Sequence, residues 1–164
     1  SIGVAIVGGH AFVLRAIQDL FDQGVEGVLV EEYIRGKEAT AGIVDRMRGE
    51  EHYMLPAVEI VRPVGEVYTH AMKHENLARI ACPGTFTRVE TEELKRAAKK
   101  MHESLGLRHY SRSDFIVTPR GIYYLETNAH PSLAAEAPLP RALAAVGVSA
   151  QHFAEHLVNL ARTR

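Results

Sequence analysis

Two β-prone runs, residues 115–118 (FIVT) and 122–125 (IYYL), flank the turn Pro119-Arg120-Gly121, and the arrangement reads as an antiparallel hairpin. Closing that turn brings Asp114, at the start of one strand, beside Glu126 and Asn128 at the end of the next. Glu126 and Asn128 are two apart, so their side chains leave the same face. These groups sit among apolar residues of the kind that fill a core. A carboxylate in a dry site is tolerated only with a cation, a hydrogen-bond network or water. Three oxygen donors at one end of a hairpin suit a hard cation such as Mg²⁺. Solvated strand ends and a turn asparagine are the plain alternative.

With 164 residues, the chain can bury a substantial core as one domain or two small lobes. Its 46% hydrophobic and 24% charged content is that of an ordinary globular protein. A formal charge of −1 without a basic run gives no footprint for nucleic acid. Cys82 is the single cysteine, so an internal disulfide is excluded and a reducing cytoplasm fits. No apolar stretch is long enough to span a bilayer, and no membrane role is expected. The chain opens on an apolar run without an initiator Met, as an excerpt of something longer does.

Along the chain, residues 2–7 read as a strand leading into Gly8-Gly9. Residues 11–23 read as a helix with the stripe Val13, Ala16, Ile17, Leu20 and Phe21, ended by Gly24. Strands are expected at 28–34, 38–44 and 53–61, with 45–52 as a hairpin loop. Residues 62–89, with Pro63, Gly65, Pro83 and Gly84, are expected to be mostly irregular. Residues 91–105 form an amphipathic helix with Leu94, Ala97, Ala98, Met101 and Leu105 on its stripe and Glu92 and Glu93 in its first turn. A short helix after Pro140 and a longer one over 149–162 close the chain. Mixed elements with antiparallel hairpins imply an α+β fold, with helices packed on one face of a sheet.

Several motifs carry less than they suggest. His152 to His156 matches an H-x-x-E-H zinc pattern, yet no third ligand follows, and a solvated helix face is the better reading. His70 and His74 lie in a stretch without helical patterning, and Gly8-Gly9-His10 reads as a turn before a helix. Cys82 has no recognisable His partner, and Tyr123-Tyr124 reads as packing. Glu31-Glu32-Tyr33-Ile34, with Glu38 beyond, is more informative. A purine needs a backbone N–H for a ring nitrogen, an acceptor for its amine and a carboxylate for the ribose hydroxyls. A charge-protected edge strand would look the same.

Read together, VLVEEYIRGKEATAGIVD at 28–45, LPAVEI at 55–60, AMK at 71–73, CPGTF at 82–86, LGLRHYSRSDF at 105–115, YYLETNAHPS at 123–132 and LPRALAAVGVS at 139–149 carry a resemblance. With SIGV at 1–4 they run nearly end to end. The chain resembles the ATP-grasp superfamily, and within it the C-terminal two-thirds of the D-alanine–D-alanine ligases. The resemblance implies an ATP-grasp fold that lacks the N-terminal substrate domain. Residues 1–34 would belong to the central subdomain and 35–164 to the C-terminal subdomain.

The implied activity phosphorylates one amino acid's carboxylate with ATP and lets a second amine displace phosphate. The implied cofactors are ATP and Mg²⁺, two ions, with Mn²⁺ as the alternative. By resemblance, Glu31 meets the adenine amine, the Glu32 carbonyl and Ile34 N–H complete adenine recognition alongside Tyr33, and Glu38 takes the ribose. Lys73 matches a loop lysine at the terminal phosphate, and Arg112 matches the arginine that steadies the acyl-phosphate. Asp114, Glu126 and Asn128 match the metal ligands, Glu126 bridging. The expected partners are ATP and amino acids, D-alanine first among them, with a homodimer as the family's common assembly. The chain departs from the family at Pro131, Ser132, Leu133, Ala134 and Ala137, in the stretch that holds the acceptor's carboxylate. A ligase with another acceptor and a nucleotide-binding module without catalysis are the alternatives.

Overall fold

The computed structural model describes residues 3–61 and 79–163. Residues 35–61 and 80–164 form one compact unit, and residues 1–34 belong to another.

In the larger unit β1 (Lys37–Asp45) is the central strand, and its residues 39–44 are buried without alternation, as expected of a strand covered on both faces. It pairs antiparallel with β2 (His52–Met54) and β3 (Val58–Val61) on one side and with β5 (Tyr110–Thr118) on the other. With β4 (Arg79–Ala81) beyond β3 and β6 (Gly121–Asn128) beyond β5, the order is β4-β3-β1-β5-β6. The expected single strand over 53–61 is divided. Thr40 faces Val58 and Ile43 faces Met54, so Leu55, Pro56 and Ala57 oppose only Ala41 and Gly42. Pro56 cannot donate to the ladder, and a bulge takes up the extra residue.

The terminal hairpin is longer than its β-prone cores and turns through Pro119-Arg120, with Gly121 at φ 131°. One face of β5 buries Ser111, Ser113, Phe115 and Val117, while its alternate residues are half-buried. α2 (Arg88–Ser104) packs on that first face, where Leu94 and Ala98 join Ala39, Ala41, Ile43, Phe115 and Val117 in one core. The helix begins three residues before the expected start because Thr87 and Glu90 close a capping box. Consequently Glu90, rather than Glu92 and Glu93, occupies the first turn, and Leu105 is the exposed C-cap residue.

The expected α+β fold is present, but helices cover both faces of the sheet rather than one. α3 (Pro138–Ala145) and α4 (Ala150–Arg162) build a second core from Leu139, Ala142, Leu143 and Phe153 against Val44, Met47, Leu55 and Val58. Alternation along β1 puts Val44 on the face opposite Ile43, so this core lies on the other side of the sheet. Gly42 permits the close approach, since a Cβ there would lie 2.7 Å from Leu139 Cδ1. α3 starts at Pro138, before the expected Pro140, because proline is tolerated in a helix's first turn.

In the smaller unit α1 (His10–Asp22) has Val13, Ala16, Ile17 and Leu20 half-buried, as its periodicity predicts, while Phe21 is exposed. Gly24, at φ 86°, closes the helix: its N–H reaches the Phe21 carbonyl and that of Val25 reaches Leu20. The expected strands at 2–7 and 28–34 are not formed over the described residues 3–7 and 28–34. β-propensity makes a strand only when a partner supplies the ladder, and no described residue pairs with either stretch.

Candidate active site

The hairpin register assembles the polar face. Arg112 lies opposite Asn128 and Asp114 opposite Glu126, with a bulge between Asp114 and Phe115 that keeps Glu126 and Asn128 on this face. Arg112 and Asp114, two apart on β5, form a bidentate pair: Nε donates to Oδ1 at 3.0 Å and Nη2 to Oδ2 at 2.8 Å. Glu126 Oε1 lies 3.9 Å from Arg112 Nη2. The premise that these acids are buried needs correction, because the Glu126 side chain is 68% exposed, against 18% for Asp114. Glu126 therefore keeps most of its hydration, while the Arg112 fork compensates Asp114. Asn128 Oδ1 accepts the His130 N–H at 2.8 Å, which fixes the turn leaving β6.

Glu38 extends the same face from the central strand. It lies opposite Ile116, and two residues along β1 Thr40 lies opposite Asp114. Ile34 is half-buried while Glu31, Glu32 and Tyr33 are exposed, all in the separate unit and in extended chain without a ladder. Lys73, with His70 and His74, lies outside the described residues. The structure thus brings together Glu38, Arg112, Asp114, Glu126 and Asn128. Among the described residues, those set beside Asp114 offer carboxylate, amide and hydroxyl oxygens, and the Arg112 guanidinium already sits where positive charge is favoured. That donor set fits a hard divalent cation.

The weaker motifs resolve into packing. The His156 Nε2–H donates to the Asp45 carbonyl at 2.7 Å, so this half-buried ring ties α4 to β1 rather than facing solvent as expected, while His152 is exposed. Burial pushes the Cys82 thiol above its ordinary pKa, with Arg141 opposing, which suits an inert side chain better than a nucleophile. Tyr124 packs edge-on against Phe115 at 5.9 Å and donates to Thr127 Oγ1 at 3.0 Å. Two features escaped the sequence. Glu59, buried in β3, accepts the Thr85 N–H at 2.8 Å and so holds the loop before α2; its place in LPAVEI gave no sign of this. Asp45, His52 and His102 converge from three elements, and their separation in sequence conceals them.

Known proteins resemble this chain in sequence and fold. Residues 1–159 match the family model described as the D-ala D-ala ligase C-terminus. A D-alanine–D-alanine ligase from Oleidesulfovibrio alaskensis is 36% identical over 149 residues, covering 89% of this chain and 46% of the relative. Another from Syntrophobacter fumaroxidans is 32% identical, covering 98% of this chain and 51% of the relative. The crystal structure of D-alanyl-alanine synthetase A from Vibrio cholerae superposes with a TM-score of 0.75 at 26% identity, over 94% of this chain and 47% of that one. The chain spans about half the length of the curated relatives it matches, less than the two-thirds its motifs suggest.

Proposed function

The chain belongs to the D-alanine–D-alanine ligase C-terminal family and shares its ATP-grasp fold, and on that premise we propose that it is the nucleotide-binding, catalytic part of an ATP-dependent carboxylate–amine ligase. The reaction is formation of D-alanyl-D-alanine from ATP and two D-alanines, for peptidoglycan synthesis in the cytoplasm, by a protein that forms a homodimer. Residues 1–34 are read as part of the central subdomain and 35–164 as the C-terminal subdomain. The observation that carries the proposal is the register that opposes Arg112 to Asn128 and Asp114 to Glu126.

Asp114, Glu126 and Asn128 would hold Mg²⁺, two ions with Mn²⁺ as the alternative, and metal bound there would neutralise charge on the transferred phosphoryl group. Arg112 stays charged at any working pH and offers a planar fork to phosphate or carboxylate oxygens. Asp114 engages the Nε/Nη2 edge and so fixes the guanidinium on the hairpin face, and the Nη1/Nη2 edge is the one that would meet those oxygens. By the resemblance Glu38 would accept from ribose hydroxyls, and Glu31, the Glu32 carbonyl and the Ile34 N–H, with Tyr33 between them, would read an adenine edge. By the resemblance Lys73 would meet the terminal phosphate, where a lysine helps exclude water that would hydrolyse the acyl-phosphate.

The test uses a protein of the relatives' full length that carries this chain. Dipeptide and phosphate should form from ATP, Mg²⁺ and D-alanine, and Glu126→Gln should remove both. Normal Mg²⁺-dependent turnover in Glu126→Gln would reject these residues as the metal site. A second reading, another acceptor, is favoured by Ala137, which begins α3 without a hydroxyl.

A further inference from the structure

We propose that Asp45, His52 and His102 form a binding site for a borderline transition metal of the Zn²⁺ class, separate from the oxygen-donor face of the hairpin. Asp45 ends β1 and His52 begins β2, and the register sets the two directly opposite each other. His102 reaches the same point from the last turn of α2. Asp45 Oδ1 lies 2.9 Å from His52 Nδ1 and 3.1 Å from His102 Nε2, and all three ligand atoms fall within 4.8 Å of one another. Ligand atoms around a tetrahedral Zn²⁺ are about 3.3 Å apart, given metal–ligand bonds of about 2.0–2.1 Å. The cluster must open by only a few tenths of an ångström at each of the two short pairs.

Two of the ligands are hydrogen-bonded from behind, and the third approaches a carboxylate. His102 Nδ1 bonds Ser111 Oγ at 2.7 Å, His52 Nε2 lies 3.6 Å from Glu103 Oε1, and Asp45 Oδ2 accepts the His109 N–H at 2.7 Å. For His102 the Ser111 hydroxyl on the far ring nitrogen orients the ring toward Asp45, which is how metal-ligating histidines are aimed. The remaining atom is the telling one. His102 is fully buried, and its Nε2 meets the Asp45 carboxylate at 3.1 Å without the alignment of a good hydrogen bond. A poorly paired buried ring nitrogen is costly, and an ion between His102 and Asp45 removes that cost. Two histidines and one carboxylate leave a fourth position for water. The nitrogen donors select Zn²⁺ over Mg²⁺.

The experiment takes the tag-free chain, strips it with chelator, reloads it with Zn²⁺ and counts metal after desalting. One equivalent should remain, the melting temperature should rise, and Co²⁺ should give the intense visible bands of a tetrahedral site. His52→Ala should lose the equivalent while Glu126→Gln keeps it, and Ser111→Ala should weaken binding about 10–100-fold. His52 is the ligand to vary because its side chain is 16% exposed, whereas His102 is fully buried and its loss also tests folding. Should His52→Ala melt early, the wild-type Co²⁺ spectrum decides, and an octahedral oxygen-ligated spectrum overturns the proposal. So does a chain that retains no Zn²⁺, or one that both variants leave equally loaded. Metal lost in Glu126→Gln but kept in His52→Ala would assign the ion to the hairpin face instead.

Discussion

The two faces of β5 are built from interleaved residues of one strand and do opposite things. Ser111, Ser113, Phe115 and Val117 are buried against α2, where they hold the fold. Arg112 and Asp114 alternate with them and face Asn128 and Glu126, where charge is kept accessible. Period-two geometry makes this separation sharp, because a residue can change faces only through a bulge. The bulge beside Asp114 marks the point where β6 departs from strict alternation. The contrast predicts that substitutions one residue apart on this hairpin fail in different assays.

The largest effect on folding belongs to the core face. Phe115 is fully buried, packed among Leu94, Ala98 and Val117 and edge-on to Tyr124. Phe115→Ala should cost about 3–5 kcal/mol in denaturant unfolding, the usual price of an aromatic cavity. A loss under about 1 kcal/mol would mean that α2 collapses into the space and that the core face is not rigid.

Glu126→Gln tests the other face. Its side chain is exposed and makes only a 3.9 Å approach to Arg112, so unfolding free energy should move by less than about 0.5 kcal/mol. Turnover of the proposed full-length ligase should nevertheless fall by at least about a hundredfold, in the range typical of removing a preorganised charge-stabilising group. If stability fell with activity, the two faces would not be separable.

This separation was legible in the sequence because it is local. Phe115 to Thr118, the Pro119-Arg120-Gly121 turn and the spacing of Glu126 and Asn128 all lie within one hairpin, so periodicity and turn chemistry sufficed. What escaped depends on partners. Residues 28–34 are β-prone, yet a strand is a property of pairs, and the described chain supplies no ladder there; Leu29 is 80% exposed. Asp45, His52 and His102 meet only after a hairpin closes and a helix packs onto it, and no spacing rule encodes that. The capping box is different. Thr87 and Glu90 carry a readable signal three residues apart, but the apolar stripe beginning at Leu94 drew the expected helix start too far along.

That cap gives a smaller, pH-dependent test of how firmly α2 covers the core face. Glu90 N–H donates to Thr87 Oγ1 at 3.2 Å, and Thr87 N–H donates to Glu90 Oε2 at 2.7 Å. Thr87→Ala should cost about 1 kcal/mol at neutral pH. Hydrogen bonding from the Thr87 backbone, then its side chain, holds the Glu90 carboxyl below its ordinary pKa. A carboxyl lowered on folding contributes stability above its unfolded pKa, and this is lost as pH falls through the folded value. Protection factors of the first-turn amides of α2, taken relative to the intrinsic exchange rate at each pH, should therefore fall under acid in the wild type, and the variant should show less of this acid dependence. Equal acid sensitivity in both would place the titration elsewhere.

The smallest effect lies at the start of α3, the helix whose core closes the opposite face beyond the charged groups. Ala137 has the extended backbone of an N-cap, φ −70° and ψ 155°, but no side-chain cap. Serine there can accept only from the amide two residues on, Leu139, because Pro140 offers no N–H three residues on. Ala137→Ser should then gain about 0.5 kcal/mol, the low end for a cap, or about 1–2 °C in melting temperature. The same hydroxyl is the group the family's pattern directs at the acceptor carboxylate. If it serves that purpose in the full-length ligase, KM for D-alanine as second substrate should fall by at most about tenfold, the worth of one hydrogen bond. The two readouts separate the roles. A rise in melting temperature with an unchanged acceptor KM means that the serine is taken up by the helix, and the acceptor is held by other groups. A lower KM without stabilisation means that the hydroxyl points to the substrate, and that its loss in this chain sets acceptor choice.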